Sequence, residues 1–202
     1  NTFNHLRSAI TLHFVSEGGL MTRQIKVGGV KIGGGAPVSI QSMTKTDTRD
    51  VPATVRQIKG LEKAGCEIVR VAIKDFEAAA AIKAIKRKIN LPLSADIHFD
   101  YRLALCAIEN GADKIRLNPG NIYKENEIKE IAGLAKKKKI PIRVGANSGS
   151  IRLKAIGSRL KAEDIVKPVL DYIKILERMD FYDIIVSLKA SDVISTIDAY
   201  KL

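Results

Sequence analysis

The sequence predicts an α/β protein of the TIM type, a (β/α) barrel incomplete as given, with about six βα units after an N-terminal β-hairpin. Three observations predict it. Apolar, β-branched runs alternate with segments of helical periodicity from Pro37 onward. The runs are mostly continuous, which suits parallel strands covered on both faces. Polar residues gather where each run ends, the place where a parallel barrel carries its chemistry.

The elements follow in order. Residues 1–20 hold one cation, Arg7, and one anion, Glu17, and show neither helical nor strand periodicity. Their apolar stretch is too short and polar for a signal peptide, and no A-x-A site follows it. They read as a non-native or disordered leader, with Met21 as the natural start, because the Ser-Glu-Gly-Gly-Leu ahead of it is what an in-frame ribosome-binding site encodes. Residues 21–202 read as one partial barrel domain. Two short strands around Gly28-Gly29, within 25–32, form the hairpin. The three glycines at 33–35 match neither G-x-G-x-x-G nor a Walker pattern and read as a turn.

Six strands are expected, at 38–41, 67–73, 91–99, 113–117, 140–144 and 182–188. Asp50 with Pro52 opens the first helix, whose Val55, Ile58 and Leu61 share a face before Gly65 ends it. Ile82, Ile85 and Ile89 stripe the second, and Ile128, Ile131 and Leu134 stripe a later one. That helix runs out in four lysines at 136–139, read as a solvated last turn favoured by the helix dipole. Pro168, after a basic stretch at 151–167, reads as the N1 residue of a helix start, and a last helix begins near Asp192. A closed barrel needs eight units and about 250 residues. Six units imply a truncated one, with open edges at the first and last strands.

Composition limits the function classes. Hydrophobic residues at 46% exclude a disordered polyelectrolyte, and no apolar run approaches the roughly 18 residues of a membrane span. A net charge of +12 invites a nucleic-acid reading, but 5% aromatics and no Trp leave no stacking platform. Cys66 and Cys106 form neither a disulfide framework nor a CxxC knuckle, so they read as small core residues in a reducing, cytoplasmic setting.

The strand ends carry Gln41-Ser-Met-Thr44, Arg70, Asp96-Ile-His98, Arg116-Leu-Asn118, Arg143 with Asn147, and Ser187-Leu-Lys189. Side chains alternate along a strand, so Asp96 and His98 share a face, as do Arg116 and Asn118. A buried arginine needs a partner. Only Asp96 is acidic among the strand ends, against Arg70, Arg116, Arg143 and Lys189, so the mouth is suited to a multiply charged anion such as a diphosphate. Asp96-x-His98 is open to two readings, a pair of metal ligands or a hydrogen-bonded pair orienting substrate hydroxyls.

Several motifs, in order, carry a resemblance: VSIQSMT at 38–44, SADIHFDYR at 94–102, IRLNPGNI at 115–122, IRVGANSGS at 142–150 and VSLKASDV at 186–193. Together they resemble the N-terminal barrel of the 4-hydroxy-3-methylbut-2-enyl diphosphate synthases, bacterial oxidoreductases of the non-mevalonate isoprenoid pathway. The resemblance implies a barrel that binds methylerythritol cyclodiphosphate, 2-C-methyl-D-erythritol 2,4-cyclodiphosphate, at its mouth. Arg70, Arg116, Arg143 and Lys189 would hold the two phosphates, with Asp96, His98, Asn118 and Asn147 on the ring. It also implies a C-terminal domain, absent here, carrying a [4Fe-4S] cluster, a ferredoxin or flavodoxin as electron donor, and a homodimer at full length. Neither cysteine lies in a matching ligand motif, so no metal ligand and no catalytic residue is assigned in this chain, which alone would be inactive. The competing enzyme reading is a Schiff-base aldolase acting on a phosphorylated carbonyl through Lys189.

Overall fold

The computed structural model describes residues 13–15, 19–147 and 162–202. Two small antiparallel pairs come first: β1 (His13–Val15) with β2 (Gly19–Met21), and β3 (Ile25–Val27) with β4 (Val30–Ile32). The second pair is the expected hairpin, turning at Gly28, whose φ of 56° suits glycine. The first corrects the view that residues before Met21 lack strands. A three-residue ladder is too short to display a period of two in sequence.

The body is a single parallel sheet of six strands in the order β10-β9-β8-β7-β6-β5, curled as an arc of a TIM barrel. Its strands are β5 (Gln41–Met43), β6 (Ile68–Ile73), β7 (Leu93–Ile97), β8 (Lys114–Leu117), β9 (Ile142–Asn147) and β10 (Ile184–Lys189). Helices α1 (Val51–Lys63), α2 (Phe76–Lys86), α3 (Tyr101–Glu109), α4 (Glu125–Lys138), α5 (Ala162–Glu177) and α6 (Val193–Lys201) alternate with them. No helix among the described residues is long and apolar enough to cross a membrane.

Helix starts follow the capping chemistry. Asp50, Asp75, Asp100 and Asp192 each accept a bond from a backbone N–H of the first turn of α1, α2, α3 and α6. Ile82, Ile85, Ile128 and Ile131 are buried against the sheet as their spacing requires. The lysines at 136–139 are exposed, as a solvated last turn demands.

Three expectations about elements are corrected. The first sheet strand begins at Gln41 rather than Val38, leaving Val38 95% and Ile40 59% exposed. Pro37 has no N–H to donate, and the Ile40 amide bonds the Glu67 side chain at 2.7 Å instead of a strand. Strand β7 is shorter than 91–99, because the chain leaves the sheet at His98, whose carbonyl accepts from Asn121 Nδ2 at 2.6 Å. Pro168 lies inside α5, not at its start. Burial of Ile165, Val166, Val169, Tyr172, Ile173 and Leu176 along one face offsets the roughly 3 kcal/mol that an interior proline costs. Residues 151–161 of the basic stretch lie outside the described residues.

The strands also alternate more cleanly than their sequences suggest. Val69, Val71, Leu93, Ala95, Ile115, Leu117, Ile142 and Val144 join the helices in one core. Their neighbours in sequence, including Arg70, Asp96, Arg116 and Arg143, therefore occupy the opposite, concave face.

Candidate functional site

Register aligns the polar residues of that concave face. Asp96 of β7 lies opposite Arg116 of β8, which lies opposite Arg143 of β9, which in turn lies opposite Ile185 of β10. One layer earlier on the strands, Arg70 of β6 faces Ser94 of β7, and Ser94 faces Lys114 of β8. At the strand ends Lys189 faces Asn147.

Asp96, buried to 6% exposure, divides its two oxygens between arginines. Arg116 Nη1 donates to Oδ1 at 3.1 Å, and Arg70 Nε stands 3.6 Å from Oδ2. Arg116 also donates through Nη2 to the Gly145 carbonyl at 3.3 Å. A Cβ at Gly145 would sit 3.3 Å from Arg116 Nε, so glycine keeps that guanidinium in place. Arg143 has no carboxylate within 4.0 Å among the described residues; its Nη2 donates to Ser187 Oγ at 2.6 Å. Burial, then the nearby charges of Arg70 and Arg116, pushes the Arg143 guanidinium below its ordinary value.

A cavity of about 480 Å³ opens here, with Gln41, Arg70, Lys114, Arg143 and Lys189 among its walls. Sequence reasoning had not singled out Lys114. It begins β8 two residues before Arg116, and the same period of two that paired Arg116 with Asn118 would have found it. Its Nζ donates to Gln41 Oε1 at 2.5 Å. Burial first, then Arg143 and Arg70, holds its pKa down to about 7.

The other expected residues sit around this cluster. Asn118 is buried, and its Oδ1 accepts from the Gly120 amide at 3.0 Å. Asn147 and Lys189 are exposed at the ends of their strands. The His98 ring lies beside Phe99, with its Nε2 buried and without a partner among the described residues. Asp96 bonds arginines rather than His98, so the expected Asp–His pairing does not form.

A [4Fe-4S] cluster takes thiolate ligands, and the residues present do not fit one. Cys66 is buried with its thiol donating to the Ile68 carbonyl at 3.1 Å, and Cys106 is held on α3 by Asn110 Nδ2 at 3.4 Å. No group of three or more His, Cys, Asp or Glu side chains converges among the described residues.

The model of the GcpE TIM-barrel domain matches residues 22–202. The chain belongs to the GcpE TIM-barrel domain family. Among similar curated proteins is one from Caldanaerobacter subterraneus subsp. tengcongensis, 54% identical over 184 residues, which are 90% of this chain and 52% of the relative. One from Listeria monocytogenes serotype 4b is 56% identical over 181 residues, 89% of this chain and 49% of the relative. Both are named 4-hydroxy-3-methylbut-2-en-1-yl diphosphate synthase (flavodoxin). The chain spans about half the length of the curated relatives it matches. Among solved structures, 7,8-dihydropteroate synthase from Vibrio fischeri ES114 aligns with a TM-score of 0.59 at 14% identity, covering 82% of this chain and 66% of that one. A truncated 3-deoxy-D-arabino-heptulosonate 7-phosphate synthase from Thermotoga maritima aligns at 0.56 and 14%, covering 81% and 55%. At such identity the likeness is one of fold alone.

Proposed function

We propose that this GcpE barrel is the substrate-binding part of a 4-hydroxy-3-methylbut-2-en-1-yl diphosphate synthase. The substrate would be 2-C-methyl-D-erythritol 2,4-cyclodiphosphate. One observation carries the reading: Arg70, Lys114, Arg143 and Lys189 line one cavity with no carboxylate in its wall among the described residues, and the adjoining Asp96 is already shared by Arg70 and Arg116. Such a cluster is electrostatically incomplete, and an anion with more than one charge completes it.

The work of these residues is binding and charge compensation. Opening a cyclic diphosphate breaks a carbon–oxygen bond and leaves its electrons on a phosphate oxygen, so negative charge grows at the phosphates. Fixed guanidinium groups stabilise that growth without reorganising. Asp96 pairs with Arg70 and Arg116, and Ser187 accepts from Arg143; Asn118, Asn147 and His98 would contact the hydroxyl-bearing part of the substrate. A [4Fe-4S] cluster held elsewhere in the full-length protein would supply the electrons, and the residues of this chain would bind and orient the substrate. The names of the relatives favour flavodoxin over ferredoxin as donor. We place the full-length protein in the cytoplasm as a homodimer. The aldolase reading through Lys189 is not favoured, because Lys189 lies exposed at the edge of the cavity, whereas a Schiff-base amine is activated by desolvation.

Calorimetric titration of the cyclodiphosphate tests the proposal. A charge-assisted hydrogen bond is worth roughly 1.5 to 3 kcal/mol, so Arg116→Ala should weaken binding on the order of ten- to a hundredfold. Arg116→Lys keeps the charge without the planar fork and should fall between. Lys137→Ala, on the exposed end of α4, should change nothing. If Arg70, Arg116, Arg143 and Lys189 can each become alanine with less than about a twofold change in affinity, the reading is wrong.

A further inference from the structure

Lys114 is the least exposed cation of the cavity, at 2%, yet no carboxylate lies within 4.0 Å of it among the described residues. Its one hydrogen-bond partner among the described residues is the neutral amide of Gln41 on β5. Of the charged groups on the concave face, Arg70 of β6 and Arg143 of β9 act on it directly, and Lys189 of β10 lines the same cavity. Asp96 of β7 and Arg116 of its own β8 lie one layer further along the strands, and His98 follows the end of β7. Arg70 and Arg143 share the cavity with it, while Asp96 already answers Arg70 and Arg116. Ser94, between Lys114 and Arg70 in register, has a buried hydroxyl without a partner among the described residues.

In the empty cavity an ammonium at this place meets two guanidinium charges and one amide dipole, so the neutral amine is favoured. An anion seated against Arg70 and Arg143 reverses that balance, because its charge lies within the same low-dielectric space. We propose that Lys114 is a positioning residue that takes up a proton from solvent when a phosphate-class anion binds, so that the loaded cavity carries more positive charge than the unloaded one. The inference rests on the anion reading of the site. It adds to that reading a direction of coupling: proton and anion bind together, and each strengthens the other. The near-neutral value of Lys114 puts the exchange in the physiological range.

Sulfate is the probe of choice, since its charge is constant from pH 6 to 9. Calorimetric titration into the 202-residue chain should show affinity falling about fivefold or more between pH 7 and pH 9. Lys114→Met and Lys114→Gln should bind more weakly at pH 7 with a flat profile. Lys114→Arg, charged throughout, should keep tight binding and be equally flat. The ¹³Cε resonance of Lys114 gives a direct reading: its titration midpoint should rise by a unit or more in saturating sulfate. A flat wild-type profile with an unmoved Lys114 midpoint, while Arg143→Ala still abolishes sulfate binding, overturns the proton coupling and leaves the anion site standing. Sulfate binding that Arg143→Ala does not weaken overturns the anion reading itself, and the coupling with it.

Discussion

Asp96 and Lys114 occupy adjacent layers of the concave face, and their opposite charge states set the electrostatics of the site. Asp96 keeps two arginines oriented, whereas Lys114 costs the fold stability because burial penalises its charge. The sign follows from linkage. The unfolded chain holds this proton up to its ordinary value of 10.5, and the folded chain releases it near 7. Between those values the unfolded state binds more protons, so stability rises with pH across that window and the penalty is complete below it. Lys114→Met should therefore raise stability at pH 7 by on the order of 2 to 4 kcal/mol and remove the rise between pH 7 and 10. Thermal melts at several pH values read both effects. Equal slopes in mutant and wild type would show that Lys114 stays charged in the folded chain.

At the scale of elements, how much the sequence revealed depended on what each run packs against. The runs that became β6, β8, β9 and β10 were legible because they are nearly continuous in apolar, β-branched residues, of which those at alternate positions join the helix-backed core. Arg70, Arg116 and Arg143 stood out as charges inside those runs, and so the concave cluster was legible with them. Lys114 escaped notice because it starts its strand, where a lysine looks like a solvated flank. Val38 and Ile40 misled in the opposite sense: they have the composition of a strand, but they precede an edge strand and no helix covers them. The Asp96–His98 spacing misled because β7 ends at Ile97, so the period of two does not carry to His98, and Asp96 pairs with Arg70 and Arg116 across the strands. Pro168 misled because local preference yields to a buried stripe. That last conflict is measurable. Pro168→Ala restores an amide able to donate to the Asp164 carbonyl and removes the ring from the helix interior. It should stabilise the chain by roughly 1 to 3 kcal/mol in urea melts with an unchanged m value. No gain would mean that the turn before Pro168 is not helical in solution.

Across the whole molecule, the six-stranded sheet has two outer strands, β5 and β10, each with one side that no strand pairs among the described residues, although the Leu188 amide of β10 donates to Tyr200 Oη at 3.0 Å. Apolar side chains collect at the same margins. Val38 and Ile40 are exposed ahead of β5, and Val193, Ile194, Ile197 and Tyr200 are exposed on α6, which follows β10. Open backbone donors and acceptors beside uncovered apolar surface form a template for pairing with another chain. The net charge of +12 opposes this by mutual repulsion, and salt weakens that repulsion once the Debye length falls below about 10 Å. The 202-residue chain should therefore associate in a concentration-dependent way, more strongly at about 0.5 M salt than at about 0.05 M. Association driven instead by contacts between unlike charges would weaken with salt, so the sign of the salt effect separates the two causes. Ile40→Lys with Ile194→Lys places a charge at each margin without touching the core and should shift the chain toward monomer in sedimentation or light scattering. A wild-type chain that stays monomeric at high concentration in both salts would show that these margins do not recruit a partner strand.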